Sequence, residues 1–334
     1  MKYIDIEKRI KNLPAVDDFA TKRAKKRELN LTKPTGSLGK LEEISAWCAG
    51  WQSCHPPKAN HISILIFAGN HGVATRGVSA FPQEVTEQMV TNFKTGGAAI
   101  NQLADLHNAK LEVIPLNLDR PTLDFTLDAA MTEKEFSDAF ECGFVSVLDS
   151  TDILIVGEMG IGNTTSAAAV ACALFGGKPD FWTGPGTGLD DSGVSLKAQV
   201  VGAGIRRHAK AITSPLECLR RFGGREMVAM AGAVLAARLK RVPVVLDGFV
   251  VTSACTVLKR IREDALEHCL IGHLSGEPGH RHLLKKIGKE PLLELNMRLG
   301  EASGAAVALG IIRAAIACHN GMSTFEEASI AKAR

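Results

Sequence analysis

The sequence has no excess of charge of either sign. Its 39 lysines and arginines against 36 acidic residues leave a formal net charge of +3. It therefore lacks the basic footprint of a nucleic-acid binder, and no nucleic-acid partner is expected. The local exception, Lys22, Arg23, Lys25, Lys26 and Arg27, reads as a solvated helix face. The 8 cysteines form no Cys-x-x-Cys pair, which argues against a zinc motif and a disulfide framework and leaves reduced, buried thiols. No long apolar run goes uninterrupted: the stretch from Ala302 to Cys318 contains Arg313 and is rich in Ala and Gly, the pattern of a packed helix rather than a membrane span. Residues 1–12 alternate charged and apolar side chains without the apolar core of a signal peptide, so a cytoplasmic setting is expected. Gly-Lys-Ser and Gly-Lys-Thr are also missing. Gly39-Lys40, Gly177-Lys178 and Gly288-Lys289 are followed by Leu, Pro and Glu, which argues against a P-loop. There is no repeat and no low-complexity tract.

What is present is enough apolar material for a large core, 46% of 334 residues, and a central stretch running from Asp152 to Thr165. There an apolar segment, Ile153-Leu154-Ile155-Val156, breaks into Gly157, Gly160 and Gly162 and reaches Asn163-Thr164-Thr165, followed by a helical run over Ser166 to Phe175. Strand, glycine-rich turn and helix N-terminus in succession offer free N–H groups and the positive end of a helix dipole to a phosphate. Glu158, at the strand's end, is placed for a ribose hydroxyl. The glycines only loosely imitate a dinucleotide fingerprint, because Thr165 stands where its third glycine belongs.

The remaining chain repeats the theme. Residues up to about Ser53 read as helical, with a break at Lys33-Pro34-Thr35-Gly36. A strand from His61 to Ala68 ends in Gly69-Asn70-His71-Gly72. Pro82 reads as the first residue of a helix, and Thr95-Gly96-Gly97 opens another. Leu111 to Leu118 is a second strand, and Thr132 with Glu135 fits a capping box. After the central unit, Asp180-Phe181-Trp182-Thr183 reads as a short strand leading into Gly184-Pro185-Gly186-Thr187-Gly188 and a long helix that carries Lys197. A helix over Arg225 to Leu239, a strand over Pro243 to Leu246 ending in Asp247-Gly248, a helix over Val250 to Ile261 and a strand over Cys269 to His273 complete the series. Strands alternating with helices predict a mostly parallel α/β sheet flanked by helices. His273, His280 and His282, with Glu277 among them, match no zinc spacing, so no metal site is expected. His71 reads as a hydrogen-bonded structural residue close to the site.

In their order, Pro34-Thr35-Gly36-Ser37-Leu38-Gly39, Gly69-Asn70-His71-Gly72-Val73, Phe81-Pro82-Gln83-Glu84-Val85-Thr86, Gly157 to Thr165, Gly184 to Gly188 and Arg298-Leu299-Gly300-Glu301-Ala302-Ser303-Gly304 resemble the nicotinate-nucleotide:dimethylbenzimidazole phosphoribosyltransferase family. The resemblance covers nearly the whole chain. It implies a Rossmann-like large domain over residues 59–285 and a smaller helical domain assembled from residues 1–58 and 286–334, in a homodimer. The implied reaction moves the phosphoribosyl group of nicotinate mononucleotide to a benzimidazole nitrogen, with inversion at the anomeric carbon, for assembly of the cobalamin nucleotide loop. No cofactor is implied, since the leaving group departs from a pyridinium and only the azole proton needs a base.

By the same resemblance Glu301 is that base. Its small and apolar neighbours would raise its pKa, whereas a helix N-terminus beside it would lower it. Without the family, Glu301 reads as a first-turn carboxylate that stabilises the helix. Glu158 would hold the ribose, and Gly160, Gly162, Asn163 and Thr164 the phosphate, with Gly186 and Gly188 closing from the second turn. Lys197 would neutralise the phosphate or is an ordinary solvated lysine. Phe81 and Gln83 would meet the benzimidazole or belong to a plain helix start. Two other functions remain open, a nicotinamide-dependent dehydrogenase and a non-catalytic nucleotide-binding module.

Overall fold

The computed structural model describes residues 1–331. In chain order the helices α1 (Tyr3–Lys11), α2 (Asp18–Glu28) and α3 (Lys40–Trp51) precede strand β1 (Ile62–Ala68). Then come α4 (Glu84–Lys94), α5 (Ala99–Leu106), β2 (Lys110–Pro115), α6 (Glu133–Val145), β3 (Ile153–Met159), α7 (Asn163–Phe175) and α8 (Asp191–His208). The chain continues through α9 (Pro215–Phe222), α10 (Arg225–Leu239), β4 (Val244–Leu246), α11 (Phe249–Ile261), β5 (Cys269–His273), α12 (Pro278–Ile287), β6 (Pro291–Leu293) and α13 (Ser303–Gly321).

The strands form one sheet in the order β2-β1-β3-β4-β5-β6, and every pair is parallel. A parallel sheet needs helical crossovers, which cover both faces, so its inner strands are apolar throughout. β1 and the first part of β3 are buried residue after residue. The side chains nevertheless divide with a period of two. Leu65, Phe67, Leu154, Val156, Val244 and Leu246 enter the core under α6, α7, α10 and α11. Ile62, Ile64, Ile66, Ile153, Ile155 and Val245 enter the core of the opposite face, with residues of α3, α5 and α13. The order reverses between β1 and β3, and open α/β sheets bind ligands outside the C-terminal ends of their strands.

α10 is buried on all sides. It crosses α6 where Gly232 and Gly143 bring backbones together: a Cβ on Gly232 would lie 2.1 Å from the Phe140 carbonyl oxygen, and one on Gly143 1.8 Å from that of Ala229. Close packing of this Ala- and Gly-rich helix is thus made within the chain. The apolar α13 is long and apolar enough to cross a membrane by length and composition, but Ala305, Leu309 and Ile312 are fully buried in the protein core. Its far end meets the N-terminal helices. Arg27 Nε donates to the His319 carbonyl at 2.8 Å, Ser45 Oγ to that of Ala315 at 3.0 Å, and Leu31 bridges Thr324.

The capping box ahead of α6 is formed, with Glu135 N donating to Thr132 Oγ1 and Thr132 N to Glu135 Oε2. Three local expectations fail. Asp180 to Thr183 is no strand: Pro179 lacks an N–H and fixes φ, and the chain closes a 3-10 turn over Pro179–Phe181 that seats Trp182 beside Phe175. Pro82 lies before α4 rather than inside it, its carbonyl accepting from Val85 N in a turn. β2 ends at Pro115 rather than Leu118, and β6 is an edge strand that its short, proline-led sequence does not announce.

Candidate active site

A cleft opens at the C-terminal ends of β3, β4 and β5. One wall is the turn from β3 into α7. Gly162 there has φ 93, a left-handed conformation that glycine adopts without steric cost. Glu158, Gly160, Asn163 and Thr164 line the cleft. Glu158 Oε2 accepts from Asn163 Nδ2, which ties the carboxylate to the first turn of α7.

The second wall is the Gly184 to Gly188 turn, of which Gly186 and Thr187 line the cleft. Lys197 reaches it from α8, buried to 1% exposure, with Nζ donating to Thr164 Oγ1 at 3.0 Å and to the Gly184 carbonyl at 2.9 Å. Burial lowers its pKa, and Glu277 works against that. Lys197 is therefore no solvated lysine; it joins the two glycine-rich turns from behind. The turn is fixed by Gly186 N donating to Glu277 Oε1 at 2.7 Å and by Arg298 Nη1 donating to the Gly186 carbonyl at 2.7 Å.

Glu158, Asp247 and Glu277 are the acids of the lining; Glu226 and Glu301 are buried outside it. Burial raises the pKa of Glu158 well above the carboxylate range, and the charges of Asp247, Glu226 and Glu301 add to it. Burial likewise pushes Asp247 up to about 7, against the backbone N–H groups of Ala305 and Gly304. Glu301 is pushed up to about 7 by burial. It stands one residue ahead of Ala302, the N-cap of α13.

The other predicted residues lie at different distances from this centre. Gly162 caps α7 beside the lining residues, and Glu301 follows Arg298, Leu299 and Gly300, which line the cleft. Gly188, Phe81 and Gln83 are outside the lining. Phe81 is half exposed, and the Gln83 side chain donates to the His71 carbonyl. His71 is fully buried, between Ser166 Oγ at 2.9 Å and Glu226 Oε1 at 2.7 Å, and packs against Gly160. Asn70 Nδ2 donates to the Leu118 carbonyl at 2.9 Å. The C-terminal histidines diverge. His280 is spent on Ser275 N and Thr252 Oγ1 and is held neutral, its pKa pushed down to about 3 by burial, whereas His282 is exposed beside Phe181 and Trp182. Sequence reasoning passed over Asp247, His273 and Ser275 as site residues, although all three stand at strand ends, the position that had singled out Glu158.

A family model described as a phosphoribosyltransferase matches residues 13–330. The chain is 54% identical over 318 residues to a nicotinate-nucleotide–dimethylbenzimidazole phosphoribosyltransferase of Cereibacter sphaeroides, covering 95% of this chain and 94% of that one. It is 49% identical over 330 residues to the enzyme of the same name from Sinorhizobium fredii, covering 99% and 97%. Among solved structures, it resembles the nicotinate-nucleotide–dimethylbenzimidazole phosphoribosyltransferase of Thermus thermophilus with a TM-score of 0.86 and 36% identity, over 95% of this chain and all of that one.

Proposed function

The chain belongs to the nicotinate-nucleotide–dimethylbenzimidazole phosphoribosyltransferases, and from that membership we propose how its cleft transfers phosphoribose. Nicotinate mononucleotide is the donor and dimethylbenzimidazole the acceptor. The acceptor's free ring nitrogen attacks C1′ of the ribose, and the C1′–pyridinium bond breaks with its electron pair returning to the pyridine nitrogen. Nicotinate leaves with a neutral ring. The attack inverts the anomeric carbon and yields α-ribazole 5′-phosphate, a building block of the cobalamin nucleotide loop. The N–H proton of the new benzimidazolium goes to Glu301.

The observation that carries this reading is a set of buried carboxyl groups, Glu158 and Asp247 in the cleft lining and Glu226 and Glu301 outside it, beside two glycine-rich turns. The acids raise one another's pKa when the cleft holds no cation. A pyridinium ring, or the positive charge that develops on the ribose as the bond breaks, relieves that repulsion and is stabilised most in the transition state. A base with a pKa of about 7 is matched to a neutral medium. Asn163, Thr164, Gly160, Gly162 and Gly186 are assigned to the phosphate with Lys197 behind them, and Glu158 to the ribose hydroxyls. Gly188 is assigned with Gly186 to the second turn that closes on the phosphate, and Phe81 and Gln83 to the benzimidazole side. Residues 1–58 and 286–334, the latter described to residue 331, are taken as the smaller unit, in a cytoplasmic homodimer. Proton NMR of the product tests the chemistry: an α-configured ribazole phosphate is expected, and a β-configured product would contradict single inversion.

A further inference from the structure

The backbone around Glu301 is unusual. Glu301 and Ala302 both have positive φ, 61 and 62, a left-handed conformation that side chains with a Cβ rarely adopt. Two such residues in succession persist only where their surroundings impose them. Helix α13 starts directly after them, and its N-cap, Ala302, has no side-chain atom that can accept from the orphan N–H groups of the first turn.

The acceptor comes from elsewhere in the chain. Asp247, the residue after β4, is 1% exposed, and its Oδ1 accepts from Ala305 N at 2.8 Å. The backbone N–H groups of Gly304 and Ala302 also favour its ionised form. β4 lies between β3 and β5, and the start of α13 is seated on those two neighbours. A Cβ on Gly157 of β3 would lie 2.4 Å from Ala302 N, and one on Gly272 of β5 2.6 Å from Ala305 Cα. The helix start is thus pressed onto both flanking strands while the middle strand supplies its cap. Among the described residues Asp247 Oδ2 is buried with no partner, so the carboxylate has one oxygen committed to the helix and one left over.

We propose that Asp247 is the positioning residue of this site: its carboxylate caps α13 and thereby holds Glu301 in its left-handed backbone beside the cleft. The proposal rests on Glu301 being the base. It gives Asp247 two separable effects, a cap that any acceptor oxygen can supply and a negative charge that only the carboxylate can. The titratable groups around it are Glu301 ahead of α13, Glu158 on β3 and His273 on β5, whose Nε2 is 3.6 Å from Asp247 Oδ1 and whose protonation burial disfavours. Asp247 and Glu301 repel when both are ionised, so removing the Asp247 charge eases the ionisation of Glu301.

Asp247→Asn keeps an acceptor oxygen for Ala305 N and removes the charge, whereas Asp247→Ala removes both. Both variants are compared with the parent and Glu301→Gln in base-dependent nicotinate release across pH. In Asp247→Asn the acidic limb of kcat/KM is expected to move down by about one pH unit, with the alkaline plateau reduced by no more than about tenfold. In Asp247→Ala kcat is expected to fall roughly 100-fold at every pH with the KM for nicotinate mononucleotide within about threefold of the parent, the signature of a displaced base over an intact binding site. An acidic limb that stays in place in folded Asp247→Asn, or an Asp247→Ala enzyme that turns over like the parent, overturns the proposal. Undiminished activity in Glu301→Gln would instead remove the base itself, a failure visible independently of either Asp247 variant.

Discussion

Replacing Glu301 by glutamine tests the electrostatics of the site through stability rather than rate. Glutamine keeps the shape and is neutral at every pH, so it imitates the protonated carboxyl. In the folded chain burial pushes Glu301 from its ordinary 4.5 up to about 7. The folded state then binds this proton more tightly than the unfolded state, and the stability it confers is full below about pH 4.5 and is lost as pH rises through about 7. The loss is about 3 kcal/mol in full, of which roughly 2 kcal/mol develops between about pH 5.5 and about pH 8.5. The variant escapes it. Glu301→Gln should therefore gain on the parent by roughly 2 kcal/mol over that interval. With an unfolding entropy of about 2.1 cal/mol/K per residue, across 334 residues, the gain is about 3 °C in Tm. Paired melting curves of the two proteins at the two pH values measure it. A difference in Tm that is the same at both, or that shrinks as pH rises, would refute a buried, proton-retaining Glu301.

Three further outcomes follow from the geometry. Between about pH 5 and about pH 7, kcat/KM should rise close to tenfold per pH unit as Glu301 ionises; a rate that is flat over this range would place the essential base elsewhere. Lys197→Met should raise the KM for nicotinate mononucleotide at least tenfold while leaving that of the nucleoside lacking the phosphate nearly unchanged, if the lost ammonium has the proposed phosphate role; equal effects on both donors would contradict that role. Gly232→Ala places a methyl 2.1 Å from the Phe140 carbonyl oxygen, and forcing α6 from α10 should cost about 1–3 kcal/mol or more in urea unfolding.

The central unit was legible because each of its parts has a local cause. A strand buried on both faces is an apolar run, a turn that must reach φ 93 demands glycine at 162, and the helix that follows is read from its own spacing. Those same signals located Glu158, Asn163 and Thr164 in the cleft. Lys197 stayed ambiguous because a lysine on a helix is ordinarily solvated; its burial follows from the docking of α8 against the two turns, a tertiary event. Asp247 as a cap for α13 was illegible for a stronger reason. The partners are Asp247 and Ala305, far apart in sequence, and the local sequence at Ala302 carries no capping residue to suggest that one is supplied from another strand. Phe181 and Trp182 looked like strand residues by type, but Pro179 and the packing of Trp182 on Phe175 decided the backbone. The direction of the Glu301 shift likewise depends on how deeply the first turn of α13 is seated, which neither its neighbours nor its dipole specifies.

Nicotinate release from nicotinate mononucleotide, measured with and without dimethylbenzimidazole for the parent and Glu301→Gln, bears most directly on the account. Release that requires the benzimidazole and falls at least 100-fold in the variant, with nucleotide binding retained, is the predicted result. Release by the variant at the parental rate would contradict Glu301 as the base, and no release from the folded parent would contradict phosphoribosyl transfer at this cleft.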